Sequence, residues 1–227
     1  MTDAHFHRNT YETFLSSNGH EIRFFGLHPW QLADIPDGSV ASLLPEIRAR
    51  VEGVRAALLA DPHAGVGEIG MDRLRTKSVP EAQRAAFSLL LGVAAELGRP
   101  VVLHGAKCWG EVVKLCKLHA GRIPAFLFHG FSRSEGLLPE ICALNGFVSV
   151  GPAVLNDHAV NYRAMVRNIA QDRLLVETDT DISVPQPPDT PSAPDVLRKL
   201  AELRAVDAAG LEAAIDANAA RFMESLA

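Results

Sequence analysis

Cysteine is scarce in this chain: Cys108, Cys116 and Cys142 are the only three in 227 residues, and no CxxC occurs. The odd count and the unpaired spacing argue against a disulfide framework and against a zinc ribbon, and point to reduced thiols. An excess of positive charge is also missing. The 22 Lys and Arg are outnumbered by 27 Asp and Glu, giving a formal net charge of -5 and a pI of about 6.0. Proteins that grip nucleic-acid backbone without specificity are ordinarily basic, so the overall balance argues mildly against that role. No apolar run reaches membrane-spanning length, and the first residues are polar with no signal-peptide core. A cytoplasmic protein with no membrane partner is therefore expected. Internal repeats, linkers and low-complexity tracts are absent too, which predicts one domain over residues 1–227.

What is present is an ordinary globular mixture, 48% hydrophobic and 22% charged, enough for a sizeable core. Short apolar runs alternate with longer helical stretches, the pattern of βα repeats around a parallel sheet. Seven strands are expected, at 1–6, 22–27, 64–69, 100–104, 125–129, 146–150 and 173–178. Helices are expected at 40–60, with Asp37 or Ser39 as its cap, and at 80–97, 109–119, 134–144, 159–169, 193–203 and 207–226. The proline-rich stretch 184–194 reads as an irregular loop. Residues 8–21 are too few for a helix plus a strand. A short strand near 11–15, turning at Ser17-Asn18-Gly19, would fit there. The expected fold is α/β, a TIM-type barrel of about seven parallel strands, abbreviated or locally antiparallel after the first strand.

The chemistry gathers at predicted strand ends. His5 and His7 alternate along the first strand, so both imidazoles share a face. Glu68 sits among glycines in Gly65-Val66-Gly67-Glu68-Ile69-Gly70-Met71-Asp72, where backbones pass closely. His104 closes Pro100-Val101-Val102-Leu103-His104, and His129 closes Ala125-Phe126-Leu127-Phe128-His129. Asp179 follows Leu174-Leu175-Val176-Glu177-Thr178, with Glu177 and Asp181 as competitors for its role. Strand tops converge in a parallel barrel. Four imidazoles and two carboxylates there suit two divalent cations with a carboxylate between them, and imidazole favours Zn²⁺ or Mn²⁺ over an all-oxygen Mg²⁺ site.

These segments resemble the TatD-like metal-dependent hydrolases, a family within the amidohydrolase-type barrels. The likeness rests on Asp3-Ala4-His5-Phe6-His7, Gly26-Leu27-His28-Pro29-Trp30, Gly67-Glu68-Ile69-Gly70-Met71-Asp72, His104, His129-Gly130-Phe131-Ser132, Glu177-Thr178-Asp179 and Asn218-Ala219-Ala220-Arg221-Phe222, in that order. The resemblance implies that His5, His7 and Asp179 hold one ion, that His104 and His129 hold the other, and that Glu68 bridges them. It also implies phosphodiester hydrolysis of DNA or nucleotides, often with Mg²⁺. The chain departs from the family pattern in three places. The helix and strand usual after His-x-His are missing. Gly105-Ala106 stands where Ser-Arg is usual, which leaves Lys107 as a point charge without the arginine fork. Arg73 replaces an aromatic.

Substrate contacts are expected from His28, Arg75 and Lys107. Arg8, Arg73, Arg75, Lys77, Lys107 and Arg133 all follow predicted strand tops, a ring of cations that would attract an anion. Trp30 and Trp109 offer stacking faces or core packing. The expected reaction is hydrolysis by a water activated between two ions, with Asp179 and Glu68 as the catalytic carboxylates. Ester or amide cleavage of a small molecule is the alternative on the same centre. No obligate protein partner is indicated.

Overall fold

The computed structural model describes residues 1–33, 40–75, 80–132 and 134–226. Eight strands form one sheet in chain order: β1 (Thr2–Asn9), β2 (Glu12–Ser17), β3 (His20–Phe25), β4 (Gly65–Asp72), β5 (Val101–Ala106), β6 (Phe126–Phe128), β7 (Gly146–Val150) and β8 (Leu174–Val176). Helices α1 (Val40–Ala60), α2 (Pro80–Leu97), α3 (Trp109–Lys117), α4 (Leu138–Ala143), α5 (Val160–Asn168), α6 (Ala193–Arg204) and α7 (Ala208–Glu224) follow the expected placement. The expected caps of α1, Asp37 and Ser39, lie outside the described residues. Residues 135–137 form a 3-10 turn before α4, and 184–192 carry no helix or strand.

Besides the seven strands, the short strand that would fit near 11–15 is present. The addition is β2, which pairs antiparallel with both β1 and β3. The turn between β2 and β3 is the two-residue Asn18-Gly19 at φ 49° and 81°, left-handed at both positions as a tight hairpin requires. Two reversals restore direction, so β1 runs with β3 to β8. Among the described residues, seven strands thus point one way and β2 runs back. A hairpin satisfies its backbone within a dozen residues, whereas a parallel crossover does not fit in that length.

The ring closes at the seam between β1 and the chain after β8. His7 pairs in parallel with Asp181; the amide of Asp179 donates to the His5 carbonyl at 2.9 Å, and that of His7 to the Thr180 carbonyl at 2.8 Å. Asp3 pins the same seam. Its carboxylate accepts from the Thr178 amide at 2.9 Å and the Thr178 hydroxyl at 2.7 Å. Burial pushes the Asp3 carboxyl up to about 6, and the Thr178 donors offset this only partly. Above about pH 6 the folded protein therefore carries the full cost of a buried charge, and below the unfolded value near 3.8 it carries none. Asp3→Asn preserves the pairing, because the amide oxygen accepts from the Thr178 amide and the amide nitrogen donates to its hydroxyl. The variant should gain about 2 kcal/mol over the unaltered protein at pH 8 and almost nothing at pH 4, read from urea unfolding at both pH values.

Every residue of β4 is buried, as expected of a strand covered on both faces. The glycines around Glu68 make this possible. Gly70 has φ 149°, and a Cβ there would lie 2.0 Å from the His104 carbonyl oxygen. At Gly67 a Cβ would lie 2.8 Å from Val102 Cβ. Close approach of β4 to β5 brings Glu68 within reach of His104. Gly70→Ala should force the strands apart, costing about 2–4 kcal/mol in urea unfolding and displacing His104.

Candidate metal centre

The mouth at the C-terminal strand ends holds all six residues expected as ligands, with His28 among them. Glu68 is their hub, 4% exposed. Its two carboxylate oxygens face different partners. Oε1 has His104 Nδ1 at 2.7 Å, His129 Nε2 at 2.9 Å and His28 Nε2 at 3.4 Å. Oε2 has His5 Nε2 at 3.4 Å and His7 Nε2 at 3.9 Å. Asp179 completes the second group, with Oδ1 3.3 Å from His7 Nε2 and 3.6 Å from His5 Nε2. Asp179 sits in the left-handed region at φ 52°, which turns its side chain to the mouth, where it is 51% exposed. His5 stacks on His129 with ring centroids 3.9 Å apart, so the two groups touch.

The donor set fits divalent cations. Three sets of ligand atoms lie within 4.8 Å of one another: His5, His129 and Asp179; His5, His7 and Glu68; and His28, Glu68 and His104. Zinc-like ions bind such nitrogen and oxygen donors at about 2.0–2.2 Å, so ligand atoms around one ion stand at this kind of separation. Glu68 and Asp179 are primed to be anionic. Burial opposes ionisation at Glu68, but His129, His104 and His28 outweigh it and hold the carboxyl well below its ordinary value. At Asp179, open to the mouth, His7, His129 and His5 likewise hold the carboxyl below its ordinary value.

The imidazoles divide in the same way. Burial, with His129 nearby, holds His5 below the ordinary histidine value, and burial does so at His28. At His129 burial is overcome by Glu68 and Glu177, which raise it well above that value. At His104 burial is overcome by Asp72 and Glu68.

Two further carboxylates stand at the cluster: Asp72, unassigned from sequence, and Glu177, weighed there only as a competitor of Asp179. Asp72 Oδ2 lies 3.2 Å from His104 Nε2 and accepts from Trp30 Nε1 at 2.6 Å. Its Oδ1 accepts from the amides of Leu74 and Arg75 at 2.6 and 2.7 Å. Glu177, 1% exposed, accepts from the Gly130 amide at 2.8 Å and from the Ser149 hydroxyl, and its Oε2 stands 3.7 Å from His129 Nδ1. Asp72 sits behind the His104 imidazole within hydrogen-bond reach and orients it, the arrangement that sharpens metal sites, whereas Glu177 faces His129 Nδ1 as a charge beyond hydrogen-bond distance. The signal was a carboxylate at the end of an apolar strand, the same one that singled out Glu68. Asp181, the other competitor for the role of Asp179, accepts from Ser183 outside the cluster.

The expected ring of cations is thinner than its sequence pattern. Arg8 is paired with Glu21 at 2.8 Å and lies over Phe14, and Arg73 is paired with Glu111. Arg75 lies 4.3 Å above the Trp30 ring, and exposed Lys107 has no ion pair among the described residues. Lys77 and Arg133 lie outside the described residues. Trp109 is buried against Phe128 and Phe131, so it packs the core and offers no stacking face. Trp30 stays at the rim. Beside Asp179 and Glu177 opens a cleft of about 1020 Å³ whose walls include Ser132, Asn161, Tyr162 and Met165. Among the described residues, no helix is long and apolar enough to cross a membrane.

The protein is similar to the 3'-5' ssDNA/RNA exonuclease TatD of Pectobacterium carotovorum subsp. carotovorum, 33% identical over 183 residues, covering 76% of this chain and 70% of that one. The same-named protein of Pectobacterium parmentieri is 34% identical over 167 residues, and the match spans 64% of its length. That of Cronobacter sakazakii is 32% identical over 207 residues, covering 87% and 74%. In fold, the chain is similar to YJJV, the TatD homologue from Escherichia coli K12, with TM-score 0.73, 24% identity and 88% and 75% coverage. It is also similar to an uncharacterised amidohydrolase from Saccharomyces cerevisiae, with TM-score 0.68, 16% identity and 88% and 79% coverage. The TatD related DNase family matches residues 2–224, and the chain belongs to it.

Proposed function

We propose that this protein hydrolyses phosphodiester bonds of DNA, RNA or nucleotides at a centre of two divalent ions. The observation that carries the reading is the division of Glu68: one oxygen faces His5 and His7, the other faces His104, His129 and His28. A carboxylate shared in this way suits two ions better than one. On this reading His5, His7 and Asp179 would hold the first ion, His104 and His129 would hold the second, and Glu68 would serve both. Bound there, Zn²⁺, Mn²⁺ or Mg²⁺ would lower the pKa of water and neutralise charge on the phosphoryl oxygens.

The chain's own residues supply the rest. Asp179, anionic and open to the mouth, takes the proton of the attacking water on its carboxylate. Asp72 keeps the His104 ring in place, and the Glu177 charge faces the His129 ring. Arg75 and Lys107 hold the remaining phosphate charge at the rim, and the Trp30–Arg75 stack offers a surface for a base. The cleft beside Asp179 has room for a nucleotide. The family membership and the names of the relatives support a nucleic-acid substrate.

The test is a substrate panel: single-stranded DNA, bis(p-nitrophenyl) phosphate, and carboxylic esters and amides, each with Mn²⁺, Zn²⁺ or Mg²⁺. Ion-dependent turnover of the phosphodiesters, abolished by chelator, is the expected result. Turnover confined to carboxylic esters or amides would replace this reading with the small-molecule one.

A further inference from the structure

Five imidazoles surround Glu68, and distance does not separate them. His28 Nε2 is 3.4 Å from Oε1, as near as His5 Nε2 is to Oε2. His28 also belongs to one of the three donor sets compact enough for an ion. Hydrogen bonding does separate them. A neutral imidazole gives a metal the lone pair of its bare nitrogen, so its proton must sit on the other one. His104 meets this condition: Nε2 faces Asp72 Oδ2 at 3.2 Å, which leaves Nδ1 bare toward Glu68. His129 meets it in the reverse sense: Nε2 faces Glu68, and Nδ1, which has no hydrogen-bond partner among the described residues, looks toward the Glu177 carboxylate 3.7 Å away, which favours the proton there. At His5 and His7 no hydrogen-bond partner stands against Nδ1 among the described residues, so Nδ1 is free to carry the proton and Nε2 to point inward bare.

His28 fails the condition. Its Nδ1 accepts the backbone N–H of Trp30 at 3.1 Å, as the N-terminal cap of the 3-10 turn Pro29–Leu32. An accepting Nδ1 carries no proton, so the ring's single proton is on Nε2, the atom aimed into the centre. The cap is reinforced from the other side, where the His28 amide donates to Gln31 Oε1 at 2.8 Å. The turn therefore fixes both the ring and its tautomer.

We propose that His28 is not a metal ligand but a fixed hydrogen-bond donor, whose Nε2–H meets an anionic oxygen of the substrate at the centre. Glu68 Oε1 faces that N–H in this structure. A neutral imidazole holds its last proton too tightly to release it near neutral pH, so the ring acts by polarising the oxygen and not as an acid. The choice of a phosphoryl oxygen rests on the phosphodiester reading; the tautomer does not.

The test is long-range ¹⁵N–¹H correlation of the imidazoles in ¹⁵N-labelled protein, before and after loading with Zn²⁺, with His28 assigned through His28→Asn. Expected is a His28 ring with bare Nδ1 and protonated Nε2 in both states, while the other four rings change on loading. A His28 Nε2 that is bare and shifts with Zn²⁺ would overturn the proposal. Asparagine is a strong N-cap, so His28→Asn keeps the turn while withdrawing the donor from the centre. That variant should keep the Zn²⁺ stoichiometry and hold affinity within about three-fold by calorimetry, whereas loss of an imidazole ligand exceeds the roughly 10–100-fold typical of an outer partner. Its kcat on bis(p-nitrophenyl) phosphate should fall about 10²–10³-fold, the usual loss for one donor to a developing charge. Loss of an ion would make His28 a ligand, and unchanged kcat would remove its substrate contact; either refutes the proposal. If the unaltered protein leaves phosphodiesters intact while the spectra and Zn²⁺ binding come out as expected, the substrate reading fails and the donor assignment stands.

Discussion

Glu68→Gln should empty the centre while leaving the barrel folded. Glutamine matches glutamate in shape, so the tight packing of β4 against β5 is undisturbed. The amide nitrogen it introduces faces the imidazoles with N–H bonds instead of a lone pair, and the negative charge shared by both halves is gone. Both groups of ligands depend on that charge, because one oxygen serves His5 and His7 and the other serves His104 and His129. Affinity for Mn²⁺ or Zn²⁺ should fall by more than about 100-fold at both sites, since even an outer partner of a ligand is worth 10–100-fold. Turnover should fall below about a thousandth of the unaltered rate. The His129 imidazole, held well above its ordinary value chiefly by Glu68, should drop toward neutrality in the variant. Metal analysis after purification without chelator checks the first point, and histidine NMR titration the last. A Glu68→Gln protein with its full complement of ions would contradict a bridging carboxylate.

Asp179→Asn separates catalysis from folding. The position has a left-handed backbone at φ 52°, which asparagine tolerates as well as aspartate. The side chain is 51% exposed, so little packing is at stake. Circular dichroism and unfolding midpoint should match the unaltered protein. Turnover should fall about 10²–10⁴-fold, the range of a lost general base. Affinity at the His5–His7 side should weaken while the His104–His129 side holds, which calorimetry with Mn²⁺ resolves. Undiminished turnover would assign the proton transfer to another group.

Much of this centre was legible in the chain because its parts obey local rules. His5 and His7 follow from the two-residue repeat of a strand, and Glu68, His104 and His129 from apolar runs that stop at a polar residue. The reversal at Asn18-Gly19 was legible as a turn. The short strand expected before it is β2, shifted to Glu12–Ser17 because partners on both sides extend its pairing up to the turn. Asp72 and Glu177 stood within quoted motifs, yet their work was hidden. It depends on which ring nitrogen of His104 or His129 turns outward, a relation across 32 and 48 positions that no spacing encodes. The cation ring is thinned for a related reason: Arg73 meets Glu111, 38 residues on, and a charge pattern does not show who neutralises whom.

The seam that closes the ring also sets an order of events during synthesis. β1 to β3 can form a three-strand meander as soon as they emerge, since their contacts are local and hairpins assemble within microseconds. His5 and His7 are then already side by side, but Asp3 waits for Thr178 and Thr2 waits for Asp216, its partner 214 positions away. A ribosome-bound chain therefore has His5 and His7 in place long before Asp179 reaches them, and the candidate centre is complete only once β8 and the residues after it have joined β1.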